Sequence, residues 1–208
     1  MISTLSIQRI LPALTFSSSE HVLPATEAMM RGGLHMMEVT LRTDTATTAI
    51  RLVKSKLPAM MIGAGTILAV DQLLEAIDAG AAFGLSPSLN LDVIKEASRR
   101  NFPFIPGVMT PSEIYTAYEH GCTLLKIFPI SSIGGVSFLR SIQSPYAHLQ
   151  LQFIPMGGIN LHNMKEYLEL QNVIAVGGSW LAPQELMQKN DFDSIEKNTR
   201  AALAITKK

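Results

Sequence analysis

Short apolar runs alternate with stretches of helical periodicity along the whole chain. Read for strand and helix signals, the pattern predicts a first strand over Arg9 to Phe16. The cap-like Ser17-Ser18-Ser19-Glu20 then opens a helix to about Arg31, which Gly32-Gly33 ends. A second strand over His35 to Arg42 precedes a helix over Ala46 to Lys56. A third over Met60 to Thr66 precedes a helix over Asp71 to Ala79, closed by Gly80. The fourth strand, Phe83 to Ser86, is followed by a helix over Leu91 to Arg100. The fifth, Phe102 to Pro106, is followed by a helix over Pro111 to His120, closed by Gly121. The sixth is Thr123 to Pro129, with a helix over about Val136 to Ile142. The seventh is Gln152 to Met156, with a helix over Leu161 to Leu170. The eighth is Val173 to Val176, and a helix over about Asp193 to Thr206 ends the pattern.

Buried strands alternating with helices argue for a parallel sheet. Eight repeats in one unbroken run predict an α/β fold, a compact (β/α)8 TIM barrel forming a single domain over residues 1–208. No linker, low-complexity tract or charge block divides the chain. The alternative, an open doubly wound sheet, is weakened because no glycine-rich dinucleotide fingerprint follows the first strand.

Composition narrows the partners. Hydrophobic residues make up 47% of the 208 and charged residues 16%, enough apolar material for one sizeable core. Lys+Arg and Asp+Glu are both 17, so the formal net charge is +0. That removes the electrostatic case for nucleic acid or an anionic membrane as main partner, while a small anionic ligand needs only a local positive site. The one cysteine, Cys122, cannot form an intrachain disulfide, which suits a cytoplasmic location, and it reads as a small buried hydrophobe. Met1 to Pro12 lacks the basic and apolar regions of a signal peptide. His21, His35, His120, His148 and His162 are scattered without ligand spacing, and no P-loop occurs, so neither a metal nor another cofactor is expected.

The sixth strand carries the candidate chemistry. In Thr123-Leu124-Leu125-Lys126-Ile127-Phe128-Pro129, Lys126 alone among the lysines has aliphatic residues on both sides. Burying an unpaired ammonium is costly, and a neutral amine in a half-dry site is a nucleophile suited to Schiff-base chemistry with a carbonyl carbon. The plainer reading is a strand-end lysine that reaches water or holds a phosphate. Side chains alternate along a strand, so Glu38, Thr40 and Arg42 share one face of the second strand, while Leu124, Lys126 and Phe128 share one face of the sixth. At the mouth of a barrel these faces bring a carboxylate, a guanidinium and an amine together, as a structural ion pair, a catalytic group, or both. Gly63-Ala64-Gly65-Thr66 ends the third strand either in a plain tight turn before the next helix or in one that brings backbone and a hydroxyl close to a ligand. Gly157-Gly158 and Gly177-Gly178-Ser179 follow the last two strands, where bare N–H groups suit a phosphate.

These segments resemble the class I bacterial aldolases that cleave 2-keto-3-deoxy-6-phosphogluconate (KDPG) and 4-hydroxy-2-oxoglutarate (KHG). The resemblance rests on Glu38-Val39-Thr40-Leu41-Arg42-Thr43, Gly63-Ala64-Gly65-Thr66, Ser86-Pro87, Pro106-Gly107, Lys126-Ile127-Phe128-Pro129, Pro155 with Gly157-Gly158-Ile159, and Gly177-Gly178-Ser179-Trp180-Leu181. They run in family order over nearly the whole chain. The resemblance implies a metal-independent lyase with Lys126 as the Schiff-base lysine and Glu38 as general acid/base. Arg42 and Thr66 would hold the substrate carboxylate. Pro87 and Phe128 would shape the pyruvoyl pocket, and Gly157, Gly158, Gly178 and Ser179 would surround the phosphate. It also implies a cytoplasmic homotrimer. The chain departs from the family at Met156, where phosphogluconate-cleaving members usually carry threonine and phosphogalactonate-cleaving relatives tend to be apolar. The C4 configuration and the length of the aldehyde half therefore stay open. Two further readings use the same barrel mouth: a sugar-phosphate isomerase or epimerase with Glu38 as base and no covalent intermediate, and a non-catalytic phosphate-ligand binder.

Overall fold

A computed structural model describes residues 1–207. Its elements are α1 (Ile2–Gln8), β1 (Ile10–Leu14), α2 (Val22–Arg31), β2 (Met36–Thr40), α3 (Ala46–Lys56), β3 (Met61–Gly65), α4 (Val70–Asp78), β4 (Gly84–Leu85) and α5 (Leu91–Arg99). The chain continues through β5 (Phe104–Ile105), β6 (Gly107–Val108), α6 (Pro111–Glu119), β7 (Leu124–Ile127), α7 (Gly135–Tyr146), β8 (Gln152–Pro155), α8 (Met164–Leu168), β9 (Val176–Gly178), α9 (Gln184–Gln188) and α10 (Phe192–Thr206).

All the paired strands are parallel, in the orders β5-β4-β3-β2-β1-β9 and β6-β7-β8. Bridges between Met156 and Gly177 and between Phe153 and Val173 join β8 to the last strand. On the other side, Pro106 alone separates β5 from β6. The result is the predicted (β/α)8 barrel. Its fifth strand is broken in two because proline has no N–H to donate to a ladder. β5 pairs with β4 and β6 with β7, and the Pro106 carbonyl accepts the backbone N–H of Lys126 at 2.9 Å.

The period-two alternation sorts the side chains into two cores. Inside the barrel, Leu11, Met36, Phe83, Leu85, Ile105, Leu124, Ile154 and Met156 form one cluster. Between sheet and helices, the alternate residues Ile10, Leu14, Val39, Ile62, Leu125, Ile127 and Phe153 pack against helix residues such as Met29, Ile50, Leu73 and Val93. Each fully buried aliphatic or aromatic side chain contributes about 1.5–3 kcal/mol of transfer free energy.

Local chemistry explains several boundaries. Thr110 and Glu113 form a reciprocal capping box at α6, with Pro111 in its first turn. The Asn90 side chain accepts the N–H groups of Asp92 and Val93 at the start of α5. The ends of the barrel's helical ring meet where α2 packs on α10. There a Cβ at Gly32 would lie 2.6 Å from Thr199 Cβ, and Arg31 pairs with Glu196 at 2.7 Å.

The structure corrects the sequence expectation at five places. α1 lies in a segment for which the sequence pattern predicts no element, and it places Leu5 in the interior cluster, fully buried. The eighth strand is Val176–Gly178 rather than Val173 to Val176. The helix expected over Leu161 to Leu170 is only Met164–Leu168, whereas that expected over Val136 to Ile142 extends to Gly135–Tyr146. α9 was not anticipated, since five residues after Pro183 carry too little periodicity to announce a helix. No helix among the described residues is long and apolar enough to cross a membrane.

Leu5→Ala should lower the unfolding free energy by about 2–5 kcal/mol in a urea titration. Ile7→Ala, on the exposed side of the same helix, should change it by less than about 0.5 kcal/mol.

Candidate active site

A cavity of about 430 Å³ opens at the carboxyl ends of the strands. Its wall includes Ala13 and Thr15 from the first strand and loop, Glu38, Thr40 and Arg42 from the second, and Lys126 and Phe128 from β7 and its end. Met156, Gly157, Gly158 and Ile159 follow β8, Gly178 and Ser179 come from the end of β9, and Ala182, Pro183, Gln184 and Met187 come from the approach to α9 and from α9 itself. Eight of the ten residues singled out from the sequence line this one cavity.

Glu38 and Lys126 stand at its base. The alternation of β2 sends Val39 to the helix layer and Glu38 inward. There the carboxylate needs room, which Gly65 on β3 leaves: a Cβ at Gly65 would sit 2.5 Å from Glu38 Oε2. Lys126 Nζ lies 3.7 Å from Glu38 Oε1, with the two side chains 6% and 1% exposed. That is an ion contact longer than a hydrogen bond, and neither carboxylate oxygen has a hydrogen-bond partner among the described residues. Burial pushes the Glu38 carboxyl above its ordinary value, and the charges of Lys126 and Arg42 pull it partly back. The amine also sits 5.3 Å from the centre of the Phe128 ring. The Phe128–Pro129 peptide is cis.

Arg42 stands at the rim, exposed. Its Nε donates to Thr66 Oγ1 at 3.2 Å, and no carboxylate lies within ion-pair distance of it among the described residues. The guanidinium is therefore oriented but not neutralised, which suits an incoming carboxylate. Thr66 reaches the site only through this bond, holding a left-handed backbone at φ 63° after β3. Pro87 does not line the cavity. It stands after β4, where its backbone packs on Gly107, and the neighbouring Ser86 hydroxyl accepts the Gly107 N–H at 3.1 Å.

The opposite side is built from backbone. Gly157 and Gly158 hold φ of 93° and 80°, a region that side chains other than glycine rarely adopt. Ser131 donates to the Gly157 carbonyl at 2.6 Å and fills the space that a Cβ on Gly158 would need. The N–H groups of Gly157 and Gly158 and the hydroxyl of Ser179 make no hydrogen bond within the described residues. Arg42 and Lys126 are the cationic side chains of the cavity wall, so an anion at the glycine turns would meet backbone dipoles and a hydroxyl.

Sequence reading missed Thr15, Ala13, Ile159, Ala182 and Met187 as wall residues. Thr15 carried a usable signal: it alternates with Leu14 and Phe16 in an otherwise apolar run, which puts a hydroxyl on the inward face. Met187 could not be found without α9. Among the described residues no three or more His, Cys, Asp or Glu side chains converge as metal ligands. Cys122 stands just before β7, at the opposite end of that strand from the mouth, half-buried, its thiol pushed up to about 11 by burial and hence inert.

Comparison with known proteins gives the same reading. A family model described as KDPG and KHG aldolase matches residues 1–198. The 2-dehydro-3-deoxy-phosphogluconate aldolase of Haemophilus influenzae is 38% identical over 199 residues, spanning 96% of this chain and 93% of that protein. The KHG/KDPG aldolase of Escherichia coli is 38% identical over 201 residues, spanning 97% and 93%. Among solved structures, the KDPG aldolase of Legionella pneumophila, with pyruvate captured at low pH as a covalent carbinolamine intermediate, superposes with a TM-score of 0.93. It is 34% identical and is covered over 97% of both chains. The chain belongs to the KDPG and KHG aldolase family, and with it to the class I lyases.

The raised carboxyl of Glu38 has a signed consequence for stability. The folded chain binds a proton more tightly than the unfolded one, so this group's contribution falls as pH rises from its ordinary 4.5 through the higher folded value. Glu38→Gln should lose that slope. Urea midpoints taken at intervals between pH 4.5 and neutrality should decline less steeply in the variant than in the parent.

Proposed function

We propose that this family member cleaves a 2-keto-3-deoxy-6-phospho sugar acid, KDPG, to pyruvate and glyceraldehyde 3-phosphate, and/or 4-hydroxy-2-oxoglutarate to pyruvate and glyoxylate. The observation that carries this is the buried amine of Lys126 facing an unbonded carboxylate 3.7 Å away, with an unneutralised Arg42 at the same mouth.

Lys126 attacks the C2 ketone, and loss of water gives an imine that, once protonated, withdraws electrons from the C3–C4 bond. Glu38, directly or through a water, takes the proton of the C4 hydroxyl. The C3–C4 bond breaks, the aldehyde leaves, and an enamine of pyruvate remains on the lysine. Protonation at C3 and hydrolysis release pyruvate and restore the amine. Arg42, held by Thr66, binds the α-keto carboxylate and sets C2 opposite Lys126. Phe128 packs on the pyruvoyl end, and Pro87 fixes the turn behind it. Gly157, Gly158, Gly178 and Ser179 receive the phosphate. Every step balances without a metal ion or an organic cofactor.

Met156, 2% exposed and in the cavity wall, keeps 2-keto-3-deoxy-6-phosphogalactonate as an alternative substrate, because an apolar side chain there makes no hydrogen bond that would select one C4 configuration over the other. We further propose a cytoplasmic homotrimer, which sedimentation would test.

Borohydride reduction with pyruvate should leave a stable adduct on the peptide carrying Lys126, and none on Lys126→Ala. A folded parent that traps no pyruvate would instead favour an isomerase or a phosphate-ligand binder. Glu38→Gln should still trap pyruvate while losing about 10²–10⁴ in kcat. Arg42→Ala should lose about ten- to a hundredfold in kcat/KM, as expected for a charge-assisted contact.

A further inference from the structure

Thr15 and Thr40 form a second polar feature in the cavity wall, which the cleavage chemistry does not use. Their hydroxyls meet at 2.7 Å. The β1–β2 register explains the pairing: Ala13 stands opposite Glu38 and Leu14 opposite Val39, so the next inward positions are Thr15 and Thr40. Thr40 is buried and Thr15 half-buried, and both line the cavity. Two hydroxyls hold two protons and four lone pairs, but their mutual bond uses one proton. The second proton has no acceptor among the described residues. Leaving a hydroxyl so placed without a partner is unfavourable, so the pair is built to meet a ligand's oxygen.

Strand order fixes which oxygen. Around the mouth the neighbours run β3-β2-β1-β9, and β9 is bridged to β8 through Gly177 and Met156. The groups facing the cavity therefore run from Arg42, held by Thr66 behind it, to Thr40, to Thr15, to Gly178 with Ser179, and then to Gly157 and Gly158. A phosphorylated keto acid has its carboxylate at one end and its phosphate at the other. With the carboxylate at Arg42 and the phosphate at the glycine turns, the hydroxylated carbon between the cleaved bond and the phosphate lies along β1 and β2. Met156, Ile159 and Met187 in the same wall are apolar and cannot bond to it, and Gln184 enters beyond Ser179 at the start of α9.

We propose that the Thr15–Thr40 pair is a specificity-determining hydroxyl clamp. It recognises the hydroxyl next to the aldehyde carbon of the leaving half and so favours 2-hydroxyaldehydes over their deoxy counterparts. This rests on the aldolase reading given above.

Addition of the pyruvate enamine to two acceptors isolates the effect. Glyceraldehyde 3-phosphate carries the hydroxyl; 3-oxopropyl phosphate has the same charge and lacks it. In Thr15→Val and Thr40→Val the ratio of kcat/KM for the first acceptor over the second should fall about tenfold, in keeping with one lost hydrogen bond. The double variant should fall little further, because the two act as one unit. Thr15→Ser, which keeps the hydroxyl, should hold the parent's ratio within about twofold. A merely structural role would lower both acceptors alike and leave the ratio fixed, and that result would overturn the proposal. Loss of borohydride trapping with pyruvate in the valine variants but not in Thr15→Ser would also overturn it, by assigning the pair to the pyruvate half. A parent that adds pyruvate to neither acceptor removes the aldolase reading and the clamp together. A parent that uses both, with variants of unchanged ratio, removes the clamp alone.

Discussion

A carboxylate and an amine taken out of water within 3.7 Å of each other, and not hydrogen-bonded to anything else in the described chain, constrain the rest of this molecule. Two such groups are costly to bury, and their mutual attraction offsets that cost only partly. The barrel supplies the surroundings that make the arrangement tenable. Gly65 opens space for the Glu38 carboxylate, the Pro106 carbonyl holds the backbone of Lys126, and the ring of Phe128 lies against the amine. Neither group is consumed by a structural hydrogen bond, which leaves both for a ligand. A site assembled mainly for stability would have satisfied those oxygens.

From that centre the mouth is graded. Towards β3 it is cationic, with Arg42 steered but not neutralised by Thr66. Between β2 and β1 it is neutral and hydroxylic, through Thr40 and Thr15. Beyond β9 it is bare backbone, shaped by left-handed glycines and by Ser131 behind them. Met156, Ile159 and Met187 add apolar side chains to the wall, with Gln184 among them. A ligand with one carboxylate, one reactive carbonyl, a hydroxylated middle and an anionic tail meets a suitable surface at each of its parts. Arg42 and Lys126 are the cations among the described residues of the wall, so charge is concentrated towards β2 and β7 rather than at the glycine turns.

The scaffold and the site use one alternation for two purposes. Residues Val39, Leu125 and Ile127 pack the helix layer, while their neighbours Glu38, Lys126 and Phe128 face the interior. The lower interior is filled by apolar side chains and by Leu5 of α1, and only the upper end is left polar. A one-residue slip in β2 or β7 would exchange these faces, exposing charge to the helix layer. Register is thus held by burial on both sides.

The sequence by itself determined the architecture and the central chemistry. Eight apolar runs separated by helical periods specify a (β/α)8 barrel, because that pattern is a local consequence of which residues can face water. Period-two alternation places Glu38 and Arg42 on one face and Lys126 on another that also points inward, so their convergence followed once the barrel was inferred. Paired glycines announced the backbone turn at Gly157 and Gly158, whereas Gly177 and Gly178, expected to follow the last strand, are its final residues. Tertiary structure decided what depends on contacts between distant segments. α1 gave no strong periodic signal, yet it carries a fully buried Leu5 against the barrel interior. Pro87 proved to support Gly107 rather than line the cavity, a matter of how two loop backbones cross. The Thr15–Thr40 bond requires the β1–β2 register, and Met187 enters the wall only because α9 folds over the last strand's end. Patterns of solubility are written residue by residue, whereas register and loop packing are fixed only when segments far apart in the chain compete for the same space.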